Sequence, residues 1–458
     1  MNNNMELRQR RPHVSNSCSG FVDGDERVTN AQRIDRRFTI LILSFVLFVF
    51  LGWGSFQFAP ELLPHQVHES VDQVFNYMGV DQRVYAIVID AGSTGTRILV
   101  FSFHHNLISG NYILEDQLFV QKVPGISAFA HEPETAAQSV NDLLQHAYDR
   151  IPLYKRQHTP IALKATAGLR LLSSNHAQVL ISSVSNVLES SDFRSIGAEI
   201  MNPMEEGLYG WFTLNYLMQS LDSTHSDFVC MDLGGGSTQI TFSPSSPLES
   251  LIEPWMKKSQ FIHRVSVVQE ELDLYSHSYL GLGIMSLRKA VFVNASQSEI
   301  VSNPCIGRNV KAFHHTFQDF NYTLIGDQSV ANPYETCLGI IQNIVSNFKV
   351  HRPQEIKERK IAAFSYFFDR ALDRNLIPEG STEGIVRVKD FVRTAKIACN
   401  EERDIHKFHC LDFTYISSLF KDGYGFLETK EIHLFKKVDG YDVSWALGVA
   451  YSLLEKNM

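Results

Sequence analysis

A chain of 458 residues with 44% hydrophobic and 20% charged side chains can bury two ordinary cores and lacks the composition of a disordered polymer. Its formal net charge of -9 argues against a nucleic-acid surface, which needs clustered cations to neutralise phosphates. A small anionic substrate stays open, because a metal ion and backbone amides supply a positive field locally.

Residues 1–37 are rich in Asn, Ser and Arg, have no apolar period, and predict a disordered cytosolic tail. Residues 38–58 contain ILILSFVLFVFLGW and no ionisable side chain, long enough to cross a bilayer core of ~30 Å. They predict one transmembrane signal anchor. Arg33, Arg36 and Arg37 precede it, and such basic flanks stay cytosolic, so everything beyond is expected in the lumen. A cleaved signal peptide or a buried core helix are the alternatives; Trp53 and the lack of a small-residue cleavage site weigh against the first. Residues 59–80, with prolines, histidines and acids, read as a stalk.

Patterning becomes strong at Val84. VYAIVID ends in Asp90, AGSTGT follows, and RILVFSF resumes, which predicts two strands joined by a glycine-bearing turn. PIALKATAGLR predicts a strand running to Thr166 and then a helix, and Met204 to Gln219 has helical spacing. DFVCMDL, GGGST and QITFS then repeat the first pattern, with Asp232 near the end of the strand. That recurrence points to internal duplication, and alternating strands and helices point to α/β architecture. A last helix is expected from Asp442 to Glu455, capped by Asp442 or Ser444.

Cysteine usage suits an oxidising compartment. Cys18 lies in the tail and Cys230 sits in an apolar run as a buried thiol, leaving four. Three connectivities are possible; pairing Cys305 with Cys337 and Cys399 with Cys410 closes a modest loop in each case. Asn294 and Asn321 open glycosylation sequons.

Tight turns of small residues let consecutive backbone N–H groups converge on an anion, so both glycine turns are candidate phosphate cradles. Asp90 and Asp232, just ahead of them, suit a divalent cation that keeps much of its water shell. Hydrolysis of a phosphoanhydride also needs a base for the attacking water. Glu205 and Glu206 open the helix EEGLYGW, but neighbours on a helix point about 100° apart, and spacing alone does not choose between them. Lys164, Arg97 and Arg170 are possible phosphate cations, set aside because such residues often tie down carboxylates or carbonyls. His314 and His315 diverge as neighbours and have no second pair at zinc spacing, so they read as surface histidines.

DAGSTGTRI from Asp90, ATAGLR from Ala165, EEGLYGW from Glu205, DLGGGSTQI from Asp232, YSHSYLGLG from Tyr275 and SWALG from Ser444 resemble the apyrase conserved regions in their expected order. The chain is therefore identified as similar to the ecto-nucleoside triphosphate diphosphohydrolases. The resemblance implies an actin-like (ribonuclease H-like) two-lobed α/β fold with duplicated phosphate-binding hairpins, lobe I over 81–203 completed by 443–458 and lobe II over 204–442. It implies Glu206 as base, with Ser237 and Gln239 holding the water. Asp90, Asp232, Thr166 and Trp445 would surround Ca2+ or Mg2+, mostly through water, and Ser93, Thr94, Gly95, Gly234, Gly235 and Gly236 would grip phosphates.

AFSYFFDRA from Ala363 and LDFTYISSL from Leu411 resemble the 5/6-type branch, which implies a nucleoside diphosphatase preferring UDP and GDP, with one N-terminal anchor and few disulfides. Its expected place is the Golgi or endoplasmic reticulum membrane, supporting glycosylation. Tyr366 and Phe368 are candidates for stacking on the base, and an ordinary buried aromatic cluster explains them equally well. An exopolyphosphatase-like enzyme and a non-hydrolytic actin-like nucleotide-binding module are the competing readings.

Overall fold

The computed structural model describes residues within the unit 79–458 only. Described are residues 82–455 apart from 107–109, 222–227, 246–250, 252–256, 268–269, 293–299, 318–319 and 402–405. The predicted tail, membrane span and stalk, Cys18 and the sequon at Asn294 lie outside them. No helix among the described residues is long and apolar enough to cross a membrane.

The first sheet has the order β3-β2-β1-β4-β5. It is built from β1 (Arg83–Ala91), β2 (Thr96–His105), β3 (Tyr112–Lys122), β4 (Pro160–Ala165) and β5 (Arg194–Ile200). The first three run antiparallel, while β4 and β5 lie parallel to β1 on its other side. Parallel neighbours need crossovers, and helices supply them. They are α1 (Pro133–Arg150) before β4 and α2 (Ala167–Arg170) with α3 (Ser174–Glu189) before β5; α4 (Pro203–Leu217) follows β5.

The second sheet repeats the plan in the order β14-β15-β13-β6-β7-β9-β8. Here β6 (Phe228–Leu233), β7 (Ser237–Phe242), β8 (Ile262–Val267) and β9 (Glu270–Leu280) form the antiparallel half. A satellite sheet of β10 (Ile300–Asn303), β11 (Phe313–Phe317) and β12 (Phe320–Gly326) intervenes in the chain. Then β13 (Lys360–Ser365) and β15 (Glu431–Phe435) lie parallel to β6, and β14 (Glu383–Arg387) closes the edge. Thus β6, β7, β9, β13 and β15 occupy the places of β1 to β5. The helices of this half are α5 (Ile284–Phe292), α6 (Pro333–Asn347), α7 (Tyr366–Asp373), α8 (Val388–Asn400) and α9 (His409–Ser418). Helix α10 (Trp445–Glu455) follows β15 as α4 follows β5.

Side-chain alternation along the strands sorts these elements into layers. On β1, Tyr85, Ile87 and Ile89 share a core with Val140 of α1 and Leu180 of α3. Ala86 and Val88, on the opposite face, share one with Trp211 of α4 and Ala450 of α10. On β6, Val229 and Met231 face Ile341, Phe391 and Ile416 of α6, α8 and α9, while Cys230 faces the middle core. Helices α4 and α10 are therefore sandwiched between the two sheets, which is why both are apolar or small on most sides. Thr213 of α4 fastens them, donating to the Ser444 carbonyl at 2.8 Å and accepting from the Gly448 amide at 3.1 Å.

Helix boundaries differ slightly from the sequence expectation. Helix α4 starts at Pro203 because the Asn202 side chain accepts from the Met204 amide, and Gln219 lies beyond its end at φ 52°. At α10 the cap is Ser444, whose hydroxyl accepts from the Ala446 amide; Asp442 belongs to a short strand. Both expected disulfides are present, Cys305–Cys337 and Cys399–Cys410, and Cys230 is a buried free thiol.

Candidate active site

Alternation also aims the two aspartates. Asp90 continues the inward set Ala86 and Val88, and Asp232 continues from Cys230, so both carboxylates leave the middle layer at the ends of their strands. There they enter one cleft of ≈ 460 Å³, lined by both glycine turns and by Glu206.

The turns are built alike. Gly92 donates to the Gly95 carbonyl and Gly234 to the Ser237 carbonyl, each at 3.0 Å. They face each other closely enough that a Cβ on Gly235 would collide with Ser93 Oγ. The chain after β9 orients the second turn: Ile284, Met285 and Gly281 amides donate to the carbonyls of Gly234, Gly235 and Gly236 at 3.0, 2.9 and 2.9 Å. In a planar trans peptide the next N–H points opposite to the carbonyl, so the amides of Gly235, Gly236 and Ser237 are turned away from that support. Behind the first turn, a Cβ on Gly168 would lie 2.8 Å from Ser93 Cα.

Glu206 sits on the first turn of α4, where Gly207 passes so close to β7 and β9 that a Cβ would lie 2.5 Å from Thr241 Oγ1. That contact seats Glu206 beside the inward polar row Ser237, Gln239 and Thr241 of β7, all of them buried. Glu206 is 6% exposed and lines the cleft; Glu205 instead lines a separate cavity with Tyr209. The helix therefore separates the two candidates that spacing left open. Burial pushes Glu206 up to about 7, against the Arg170 guanidinium at 2.6 Å and with Asp232 and Asp90 adding to the rise. Gln239 spends its amide hydrogens on Ser237 Oγ at 2.8 Å and Ser278 Oγ at 3.0 Å, which leaves its Oε1 without a partner among the described residues.

Burial raises Asp90, with Arg97 opposing at 3.0 Å, and raises Asp232 to about 6, with Ser365 opposing and Asp90 contributing. Asp90 Oδ1 and Asp232 Oδ1 are buried with no hydrogen-bond partner among the described residues. Orphaned carboxylate oxygens are costly, and a cation or its water would satisfy them. No group of three His, Cys, Asp or Glu capable of holding a metal occurs among the described residues. Two carboxylates beside Thr166 and Trp445 thus fit Ca2+ or Mg2+ that keeps water and phosphate oxygens as its remaining ligands.

Of the other expected residues, Ser93, Thr94, Gly234, Gly235, Gly236, Ser237 and Tyr366 line the cleft. Gly95 does not; it closes the first turn against β3, where a Cβ would lie 2.6 Å from Gln121 Nε2. Phe368 is a correction. It is 1% exposed, packed in the core of the second sheet, and has no face to offer a base. Lys164 pairs with Glu199, His314 bonds Thr323, and His315 packs on Phe408. Arg170, set aside as a residue that ties down a carboxylate, does so here: it touches Glu206, and its Nε and Nη1 are buried without partners among the described residues. Its place at the end of ATAGLR, one turn past Thr166, was the available signal. Asp369, inside the AFSYFFDRA stretch, and Lys436, which belongs to no quoted motif, also line the cleft.

Residues 77–458 match a family model described as GDA1/CD39 (nucleoside phosphatase). The chain is 37% identical over 383 residues to ectonucleoside triphosphate diphosphohydrolase 5 of Gallus gallus, covering 81% of this chain and 87% of the relative. It is 35% identical to nucleoside diphosphate phosphatase ENTPD5 of Homo sapiens (81% and 88% covered) and 33% identical to nucleoside-diphosphatase uda-1 of Caenorhabditis elegans (81% and 82%). Its fold is like that of a nucleoside triphosphate hydrolase from Neospora caninum, with a TM-score of 0.55 at 14% identity, covering 86% of this chain and 97% of that one.

Proposed function

The chain belongs to the GDA1/CD39 (nucleoside phosphatase) family, and on that footing we propose that it hydrolyses nucleoside diphosphates, UDP and GDP ahead of triphosphates, to monophosphate and phosphate. The observation that carries this reading is the convergence of two glycine turns from different sheets on one cleft with a buried carboxylate beside it. Amides of Gly235, Gly236 and Ser237 with the hydroxyls of Ser93 and Thr94 grip the phosphates. A water donating one proton to Glu206 and the other to Gln239 Oε1 presents a lone pair to the terminal phosphorus. Glu206 takes the first proton as the new P–O bond forms and the bond to the departing monophosphate breaks, with no covalent enzyme intermediate. A divalent cation held through water by Asp90 and Asp232, near Thr166 and Trp445, shields phosphate charge when bound. The carboxylate that burial has raised is poised near neutrality, where a general base works best.

The lobes 81–203 with 443–458, and 204–442, close on the nucleotide in an actin-like manner, and Tyr366 stacks on the base. The catalytic unit lies in the lumen of the Golgi or endoplasmic reticulum behind one membrane anchor. Two disulfides, an exposed sequon at Asn321 and the basic residues ahead of the apolar run support that placement.

The test is phosphate release from UDP, GDP, ADP, UTP and polyphosphate. Diphosphates should be cut, chelation should stop the reaction, and added Ca2+ or Mg2+ should restore it. Glu206→Gln should slow turnover by roughly 10²–10⁴-fold while nucleotide still binds. Polyphosphate as the best substrate would favour the exopolyphosphatase-like reading; equal turnover by parent and variant would remove Glu206 from the mechanism.

A further inference from the structure

The sheet order measures distance along the cleft. Ser237 and the second phosphate turn belong to β6 and β7, Ser365 ends β13 beside them, and Lys436 follows β15 one strand further out. Two strand spacings are roughly 10 Å. That is the reach of a phosphate and ribose, so the side chains beyond β15 and on the first turn of α7 stand where a nucleobase would lie.

Seven charged side chains line the cleft. Asp90, Arg97, Glu206 and Asp232 surround the phosphate turns, and Asp442 is paired with Lys437 at 3.5 Å. Asp369 and Lys436 remain, 3.1 Å apart. Their side chains are 38% and 49% exposed, so both are reachable from the cleft, and an ion pair this open opens at little cost. The main chain beneath Lys436 is fixed: its amide donates to Thr382 at 2.7 Å and its carbonyl accepts from Val443 at 3.0 Å. Phe368 lies under its ammonium group, 6.0 Å from ring centroid to Nζ. Such a pair offers a donor and an acceptor side by side on a firm backbone.

We infer that Asp369 and Lys436 read the base, Lys436 donating to an exocyclic carbonyl and Asp369 accepting from the adjacent ring N–H. This rests on the nucleoside diphosphatase reading and supplies its base selectivity. Uracil, guanine and hypoxanthine each carry a carbonyl beside a ring N–H, and guanine adds an amino hydrogen for the same carboxylate. Cytosine and adenine carry an amino group beside a ring nitrogen lone pair. Held in the same orientation, they set donor against Lys436 and lone pair against Asp369. A site built to pair polar groups rejects a ligand that leaves them unpaired more strongly than an apolar pocket rejects a misfit.

The experiment is steady-state hydrolysis of UDP, GDP, CDP, ADP and ribose 5-diphosphate by the full-length chain in detergent, as parent, Asp369→Asn, Lys436→Met and Lys436→Arg. The parent should favour UDP over CDP and GDP over ADP in kcat/KM. Asp369→Asn and Lys436→Met should cut both ratios by about tenfold or more, and their loss on UDP should exceed their loss on ribose 5-diphosphate, which has no base to read. Lys436→Arg, which keeps a cationic donor, should retain most of the discrimination. Ratios unchanged within about twofold, or equal losses on UDP and ribose 5-diphosphate, would overturn the assignment. A parent that cuts all nucleoside diphosphates equally would overturn it while leaving the functional reading intact. A parent that cuts none would overturn the reading and this inference with it.

Discussion

In the proposed mechanism Glu206 and Arg170 form the most consequential contact in the cleft, because a base must be both ionised and uncommitted when water arrives. Arg170 opposes the burial that raises Glu206, so removing it should raise the carboxylate further. A base that must be deprotonated loses activity on the acid side, so kcat/KM should fall as pH drops below about 7, or somewhat lower once a cation adds its field. In Arg170→Met that limb should move to higher pH by about one unit or more; a limb that stays in place would show Arg170 to be only structural support. At this scale the sequence was legible where chemistry dictates residue type. Asp90 and Asp232 could be named because each carboxylate stands just ahead of a glycine turn, whereas only the family resemblance separated Glu206 from Glu205. Phe368 could not be judged, since a residue opening a helix is turned inward or outward by its packing alone. Arg170 could be named as a residue that ties down a carboxylate but not matched to Glu206, because that partner lies 36 positions away.

The hairpins show what an element contributes beyond its residues. Each turn is held from behind by a second glycine, Gly168 for the first and Gly283 for the second, where no Cβ can be accommodated without moving backbone. Gly283→Ala should therefore push α5 away from the turn, costing about 1–3 kcal/mol of stability and lowering kcat/KM for diphosphates more than thermal stability explains. Denaturant melts and kinetics on the same preparation would check it; full activity would show that the turn tolerates the displacement. Repetition of strand, turn and strand was visible in the sequence, and so was the strand preceding Thr166. The role of the end of YSHSYLGLG and the two residues after it was not, because the amides of Gly281, Ile284 and Met285 satisfying three carbonyls leave no mark on side-chain pattern.

Across the molecule, two five-strand units with the same order place α4 and α10 between them, so both aspartates and Glu206 are buried together. The duplication could be inferred from the two turns. The layering could not, since it depends on which strands pair across long crossovers. Three buried carboxylates raised above their ordinary range hold protons in the folded state that the unfolded chain releases. Stability from that source is complete below about pH 4 and is lost as pH rises through about 6 for Asp232 and about 7 for Glu206. In the proposed site a bound cation would replace those protons. Hence the rise in Tm on adding Ca2+ or Mg2+ should be larger at pH 8 than at pH 5.5; an equal rise at both would place the ion elsewhere.

In the proposed reaction one cation and one pyrophosphate are held between the two turns. Anomalous diffraction from Glu206→Gln crystals grown with Mn2+ and UDP tests it most directly. A single strong peak is expected between Asp90 and Asp232, bordered by phosphate oxygens, with the diphosphate lying across Ser93 and Gly235. A nucleotide bound outside this cleft, or a Mn2+ peak remote from both aspartates, would contradict it.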